Sequence, residues 1–321
     1  MTQILPINDV FMSGTILAVR NSWRSDLYYQ QTIEKEISCV GIGLHSGNKV
    51  NMRLLPAPPD TGIIFRRVDK GGIEIPAKAL LVQKVDFATS LSRGETSVKT
   101  VEHLLATFYG LQIDNVYVEL DSPEVPIMDG SAASFVFLVE EAGIKIQEKP
   151  RFYLNILTPL EHKEGDKFIK VVPANELRIT YYVYYNHALI SEQTLTLPIT
   201  PEVFKDQIAP ARTFGFLYEV EYLRKVGLTL GGSKDNAIVL DESKILNDHL
   251  RFPNEFVRHK MLDLLGDLSL CGFQMKAHIY VHKGGHSLHT KMAQIIKENI
   301  NSQQTTLLDD SPSYQATQPF A

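Results

Sequence analysis

From Gln31 to Arg67 apolar and polar residues alternate: Ile33, Ile37 and Val40 come first, then Val50, Met52 and Leu54 with Lys49, Asn51 and Arg53 between them. Side chains two apart share a strand face, so this pattern predicts strands. Turns are expected at Gly41, Gly43 and Ser46-Gly47, and Pro56-Ala57-Pro58-Pro59-Asp60 reads as a rigid loop. Ile63-Ile64-Phe65 begins another strand. The spacing then becomes helical: Val101, Leu104, Leu105 and Phe108 predict a helix over 97–109, stopped by Gly110. A strand over 114–120 follows. After Pro123 and Pro126, Asp129-Gly130-Ser131 is placed to cap a helix over 132–142.

The second half repeats this order. Strands are predicted over 152–156, 167–172, 177–185 and 192–197, then a helix over 256–271 ended by Gly272, a strand over 277–282, a Gly284-Gly285 turn and a helix over 286–299. Each half thus runs strands, helix, strand, Gly-bearing turn, helix. The expected fold class is α+β: two similar domains, each a mainly antiparallel sheet with helices on one face, the helices lying between the two sheets. The expected divisions are a disordered N-terminal extension over 1–30, domains over 31–147 and 150–299, and a flexible, polar tail over 300–321.

Composition narrows the chemistry. The chain has 321 residues, a net charge of −5 and 44% hydrophobic residues. The charge argues against a nucleic-acid partner, which calls for a basic face. No apolar stretch reaches the length of a membrane span, and the first thirty residues lack the basic start and cleavage pattern of a signal peptide. Cys39 and Cys271 are far apart and have no C-x-x-C spacing, so a disulfide framework is not expected and a reducing cytoplasm fits. A metal site must then use histidine and carboxylate.

Such a set is present. His259 and Asp263 stand at i and i+4 on the 256–271 helix, so imidazole and carboxylate share one face, and Asp267 continues the row. A solvated polar stripe is the alternative reading. His103 sits on the corresponding helix of the first half. Two histidines and one carboxylate make a catalytic zinc set with a position left for water, although iron(II) uses the same trio. Glu102 points about 100° away from His103 on a helix and suits a general base better than a ligand. His286 follows two glycines at a helix start, where Asp267 could offset the dipole and keep it cationic. Lys260 and Lys283 are either phosphate-binding point charges or surface lysines. The remaining histidines apart from His45, His289 included, read as solvated or packed.

Together these segments resemble the bacterial UDP-3-O-acyl-N-acetylglucosamine deacetylase family, zinc enzymes of lipid A biosynthesis. The resemblance is carried by Gly41-Ile42-Gly43-Leu44-His45-Ser46-Gly47, by Pro56-Ala57-Pro58 with Thr61-Gly62, and by Thr100-Val101-Glu102-His103-Leu104. Further along it is carried by Ile113-Asp114-Asn115, Pro126-Ile127-Met128-Asp129-Gly130-Ser131-Ala132, Ala211-Arg212-Thr213-Phe214-Gly215-Phe216, Gly231-Gly232-Ser233, Phe256-Val257-Arg258-His259-Lys260-Met261-Leu262-Asp263 and Gly285-His286. The resemblance implies hydrolysis of the substrate's N-acetyl group, the committed step of that pathway; a monomer is expected. It implies Zn2+, with Fe2+ as the alternative, on His103, His259 and Asp263, with Glu102 as base and His286 as cationic partner supported by Asp267. Thr213 would donate to the oxyanion, and His45, Lys260 and Lys283 would meet the sugar diphosphate. An insert over 214–237 would form the acyl passage, with Phe214, Phe216, Val220 and Leu223 along it and Gly232 at its mouth. The 1–30 extension lies outside the family pattern, and the strand after Gly165-Asp166-Lys167 leaves the uracil-stacking residue unassigned.

Overall fold

The computed structural model describes residues 29–85, 87–300 and 304–307. The first half contains β1 (Tyr29–Ile33), β2 (Ile37–Ile42), β3 (Lys49–Pro56), β4 (Ile63–Arg67), β5 (Ile73–Pro76), β6 (Val82–Lys84), β7 (Ser90–Arg93), β8 (Thr96–Val98), α1 (Glu102–Gly110), β9 (Val116–Leu120), α2 (Ala133–Ala142) and β10 (Ile144–Pro150). Its main sheet has the order β2-β3-β9-β4-β5, in which only the β4–β9 pair is parallel. The alternation read in the sequence is the reason: Val50, Met52 and Leu54 of β3 are buried while Lys49, Asn51 and Arg53 face water.

The second half contains β11 (Phe152–Asn155), β12 (Leu160–Glu164), β13 (Lys167–Pro173), β14 (Arg178–Tyr184), β15 (Glu192–Pro198), β16 (Phe214–Phe216), α3 (Leu217–Lys225), β17 (Ile238–Leu240), α4 (Glu255–Ser269), β18 (Gln274–His282), α5 (His286–Glu298) and β19 (Gln304–Leu307). β18 is central. It pairs antiparallel with β13 and parallel with β14 and β11, burying Met275, Ala277, Ile279 and Val281 on one face. Among the described residues both large sheets are mainly antiparallel, as expected of the α+β class.

The helices at the seam position the site. Every residue of α1 is buried, and so are His259, Asp263 and Asp267 of α4. α1 packs directly on α4. Gly266 permits this approach, because a Cβ there would lie 2.1 Å from the carbonyl oxygen of Glu102. One large apolar core runs through both halves, from Val50 and Phe65 to Leu264 and Ile279, and a smaller cluster of Ile190, Ile238, Leu240 and Phe256 lies apart from it.

Three expectations need correction. The first helix begins at Glu102, not near Ser97: residues 96–98 form β8 on β7, and Thr100 at φ 56° breaks the chain direction before α1. Val98 and Val101 stand three apart, which fits a helix, but the pairing of residues 96–98 with β7 overrides that spacing. Tyr29 and Gln30 belong to β1, not to the extension, and the rest of that extension lies outside the described residues. The tail contributes β19, antiparallel to β11; strand addition uses main-chain groups, so a polar sequence suffices. The rest of the tail also lies outside the described residues.

Candidate metal centre and active site

His259 and Asp263 share a face of α4, and His103 reaches them from the first turn of α1. Asp263 Oδ1 is 3.4 Å from His259 Nε2 and 3.7 Å from His103 Nε2, and the two rings meet edge to face with centroids 4.9 Å apart. All three side chains are buried. Two donors bound to one zinc at the tetrahedral angle stand about 3.4 Å apart. The hydrogen bonding fits the same use. His259 Nδ1 donates to the Ala211 carbonyl at 3.1 Å, which leaves its Nε2 lone pair free to face Asp263. Lys260 takes Asp263 Oδ2 at 2.8 Å, while the buried Oδ1 has no hydrogen-bond partner. An orphaned carboxylate oxygen between two imidazole nitrogens is costly unless a cation completes it. Burial holds His259 neutral, its pKa lowered to about 3. Burial would raise the Asp263 carboxyl, but Lys260 and then the neighbouring histidines together outweigh it, and the group stays ionised.

Beside this trio lies a second set of polar groups. Asp267 Oδ2 accepts from His286 Nδ1 at 2.8 Å and from His289 Nδ1 at 3.0 Å, and Oδ1 accepts from the Thr89 hydroxyl at 2.5 Å. Contacts this short are direct hydrogen bonds, and they account for the cluster without a metal. The Tyr181 hydroxyl meets His289 Nε2 at 2.9 Å. His286 Nε2 therefore points forward, 3.9 Å from Glu102 Oε1 and 4.0 Å from Asp263 Oδ2. Glu102 Oε2 accepts from the Thr89 amide at 3.0 Å. Burial pulls the His286 pKa down, but Asp267 and then Asp263 outweigh it and lift it to about 9. Burial pushes the Glu102 carboxyl above its ordinary value.

A cleft of about 840 Å³ is lined by Lys260 and by Phe87, Tyr185, Phe214 and Phe216 among others. Of the residues named for substrate contact, Lys260, Phe214 and Phe216 border it. Val220 and Gly232 do not line it. Val220 packs near Gly215, and the Gly232 carbonyl accepts from Arg224. The close approach in that loop is made by Gly231 instead: its amide donates to the Leu44 carbonyl, and a Cβ there would lie 2.3 Å from the Gly43 carbonyl oxygen. The insert is thereby clamped onto the first half's glycine turn. Glu124 braces that turn, accepting from the His45 and Ser46 amides. His45 is buried, and both its ring nitrogens are without hydrogen-bond partners. Thr213 is fixed through its backbone, between the Gly130 carbonyl and the Ile238 amide. Lys283 does not line the cleft and is turned toward Asp166 at 2.7 Å and Tyr184.

Thr89, Tyr181, Phe87 and Tyr185 escaped the sequence reading, since each is a lone residue in a loop or strand, and Ala211 was read only as part of a motif, without its carbonyl's contact to His259. His289 is packed, as read, yet it is also bonded to Asp267. Its position three residues after His286 on one helix was the available signal.

Comparison with known proteins adds the following. The family model for UDP-3-O-acyl N-acetylglycosamine deacetylase matches residues 30–298. The chain is similar to UDP-3-O-acyl-N-acetylglucosamine deacetylase of Oleidesulfovibrio alaskensis, 50% identical over 272 residues that cover 84% of this chain and 89% of the relative. It is 47% identical to the enzyme of that name from Thermodesulfovibrio yellowstonii over 261 residues, 81% of this chain and 89% of the relative. With that of Idiomarina loihiensis it shares 43% identity over 297 residues, 91% and 96% of the two chains.

Proposed function

This chain belongs to the UDP-3-O-acyl N-acetylglycosamine deacetylase family, and from that premise we propose how its own residues hydrolyse the N-acetyl group of UDP-3-O-acyl-N-acetylglucosamine in lipid A biosynthesis. The products are the free amine and acetate. The observation that carries the reading is the convergence of His103 with His259 and Asp263, with Glu102 and His286 beside them. His103, His259 and Asp263 are the proposed metal ligands. Zinc is our assignment, with iron(II) as the alternative that the same donors accept. When bound, the ion supplies Lewis acidity toward the acetamide carbonyl and makes water more acidic.

Glu102 takes a proton from the attacking water as the carbon–oxygen bond forms. Its carboxylate is aimed by the Thr89 amide, and burial makes it a stronger base than a solvated carboxylate. His286, held cationic by Asp267, stabilises the developing oxyanion and delivers a proton to nitrogen as the carbon–nitrogen bond breaks. Thr213 donates to the same oxyanion. Phe214 and Phe216 receive the acyl chain in the cleft, with Val220 and Gly232 supporting the insert from behind. Lys260, Lys283 and His45 meet the sugar diphosphate, where Lys283 exchanges Asp166 for phosphate.

All of these groups come from one chain, so we propose a monomer. Among the described residues no helix is long and apolar enough to cross a membrane, and Cys39 and Cys271 are both free thiols, in keeping with action in the cytoplasm. Acetate release from the acylated nucleotide sugar, measured alongside metal content, tests the reading. One bound metal and chelator-sensitive acetate release are expected; full release from metal-free protein would overturn the ligand assignment.

A further inference from the structure

We infer that Thr89 is the positioning residue that couples the base to the cationic acid; the inference rests on the deacetylase reading above. Thr89 is fully buried, just before β7. It reaches both halves of the proton-handling machinery. Its main-chain amide donates to Glu102 Oε2 at 3.0 Å. Its hydroxyl donates to Asp267 Oδ1 at 2.5 Å and lies 3.3 Å from His286 Nδ1. Its own carbonyl accepts from the Val101 amide, which ties the segment to the start of α1.

The remaining bonds to Asp267 make the hydroxyl decisive. Both imidazoles, His286 and His289, converge on Oδ2, and Tyr181 locks His289 from behind. A carboxylate bound only through Oδ2 can pivot about that oxygen. The Thr89 hydroxyl on Oδ1 fixes its plane, and with it the direction in which His286 Nε2 points. A misplacement of about 1 Å in such a group can cost about a hundredfold in rate. Because one residue holds both Glu102 and Asp267, the separation of base and acid is set within a single peptide unit and its side chain.

Two substitutions separate hydrogen bonding from packing. Thr89→Val keeps the shape and the amide but removes the hydroxyl. Its kcat for acetate release is expected to fall at least about tenfold, with KM and metal content within about twofold of the parent. Thr89→Ser keeps the donor, loses only a methyl group, and is expected to stay within about threefold of the parent kcat. If Thr89→Val does not fold, Thr89→Ala compared with Thr89→Ser makes the same comparison. Parent-like kcat in the hydroxyl-free variant would overturn the inference, as would equal loss in the serine variant or a rise in KM in place of a fall in kcat. A parent protein that releases no acetate would instead overturn the deacetylase reading itself, so the two failures are distinguishable.

Discussion

Glu102 and His286 occupy one enclosure and are driven to opposite protonation preferences. Burial raises the Glu102 carboxyl above its ordinary value; at His286 burial is outweighed by Asp267 and Asp263, which lift it to about 9. Glu102, as the proposed base, works ionised, so activity should rise as pH climbs through its elevated pKa. His286, as the proposed acid, works protonated, so activity should fall as pH passes about 9. The kcat/KM profile is therefore expected to be bell-shaped, and Asp267→Asn, which removes the carboxylate nearest His286, should move its alkaline limb down. Glu102→Ala is expected to lower turnover by about 10² or more while metal content, read by elemental analysis, stays at the parent level. At this scale the sequence reveals groups that share one helix and hides those brought by distant loops. His259 and Asp263 are legible because i and i+4 project together; the Ala211 carbonyl that fixes the His259 tautomer comes from a segment 48 residues away and leaves no periodic trace.

Helix α4 shows how an element converts pattern into placement. Its apolar rows anchor it in the core, and Gly266 lets α1 approach until the His103 and His259 rings touch. Gly266→Ala forces the helices apart at the Glu102 carbonyl and is expected to cost about 1–3 kcal/mol of stability, measured by denaturant unfolding, together with metal affinity. Buried Glu255 starts the same helix and accepts from the Arg212 amide and guanidinium and from the Arg251 amide, clamping the Ala211–Thr213 segment. Glu255→Ala leaves Arg212 buried without its counter-charge; a loss of about 3–5 kcal/mol is expected in the same assay. The long strands and the helices over 255–269 and 286–298 follow from periodicity. The short strands β6, β7 and β8 do not, because three or four residues satisfy either period and only their partners select one.

At the scale of the whole molecule, the two halves meet where His103 faces His259 and Asp263, and again where the insert loop lies on the glycine turn. Two α+β layers were legible from the repeated order of elements, but the loop's contact was not, since Gly231 against Gly43 is a close approach between residues 188 positions apart in sequence. Gly231→Val should lift the insert and raise KM for the acylated substrate with metal content unchanged, as steady-state kinetics would show. Chelation should abolish acetate release and leave far-ultraviolet circular dichroism intact, because the core runs through both halves independently of the ion. The proposed ligands also set an order of events during synthesis. His103 leaves the ribosome long before His259 and Asp263, so a growing chain has no complete cage until its second half has emerged and docked. On that proposed ligand set, full coordination of the ion cannot precede the docking of α4 on α1.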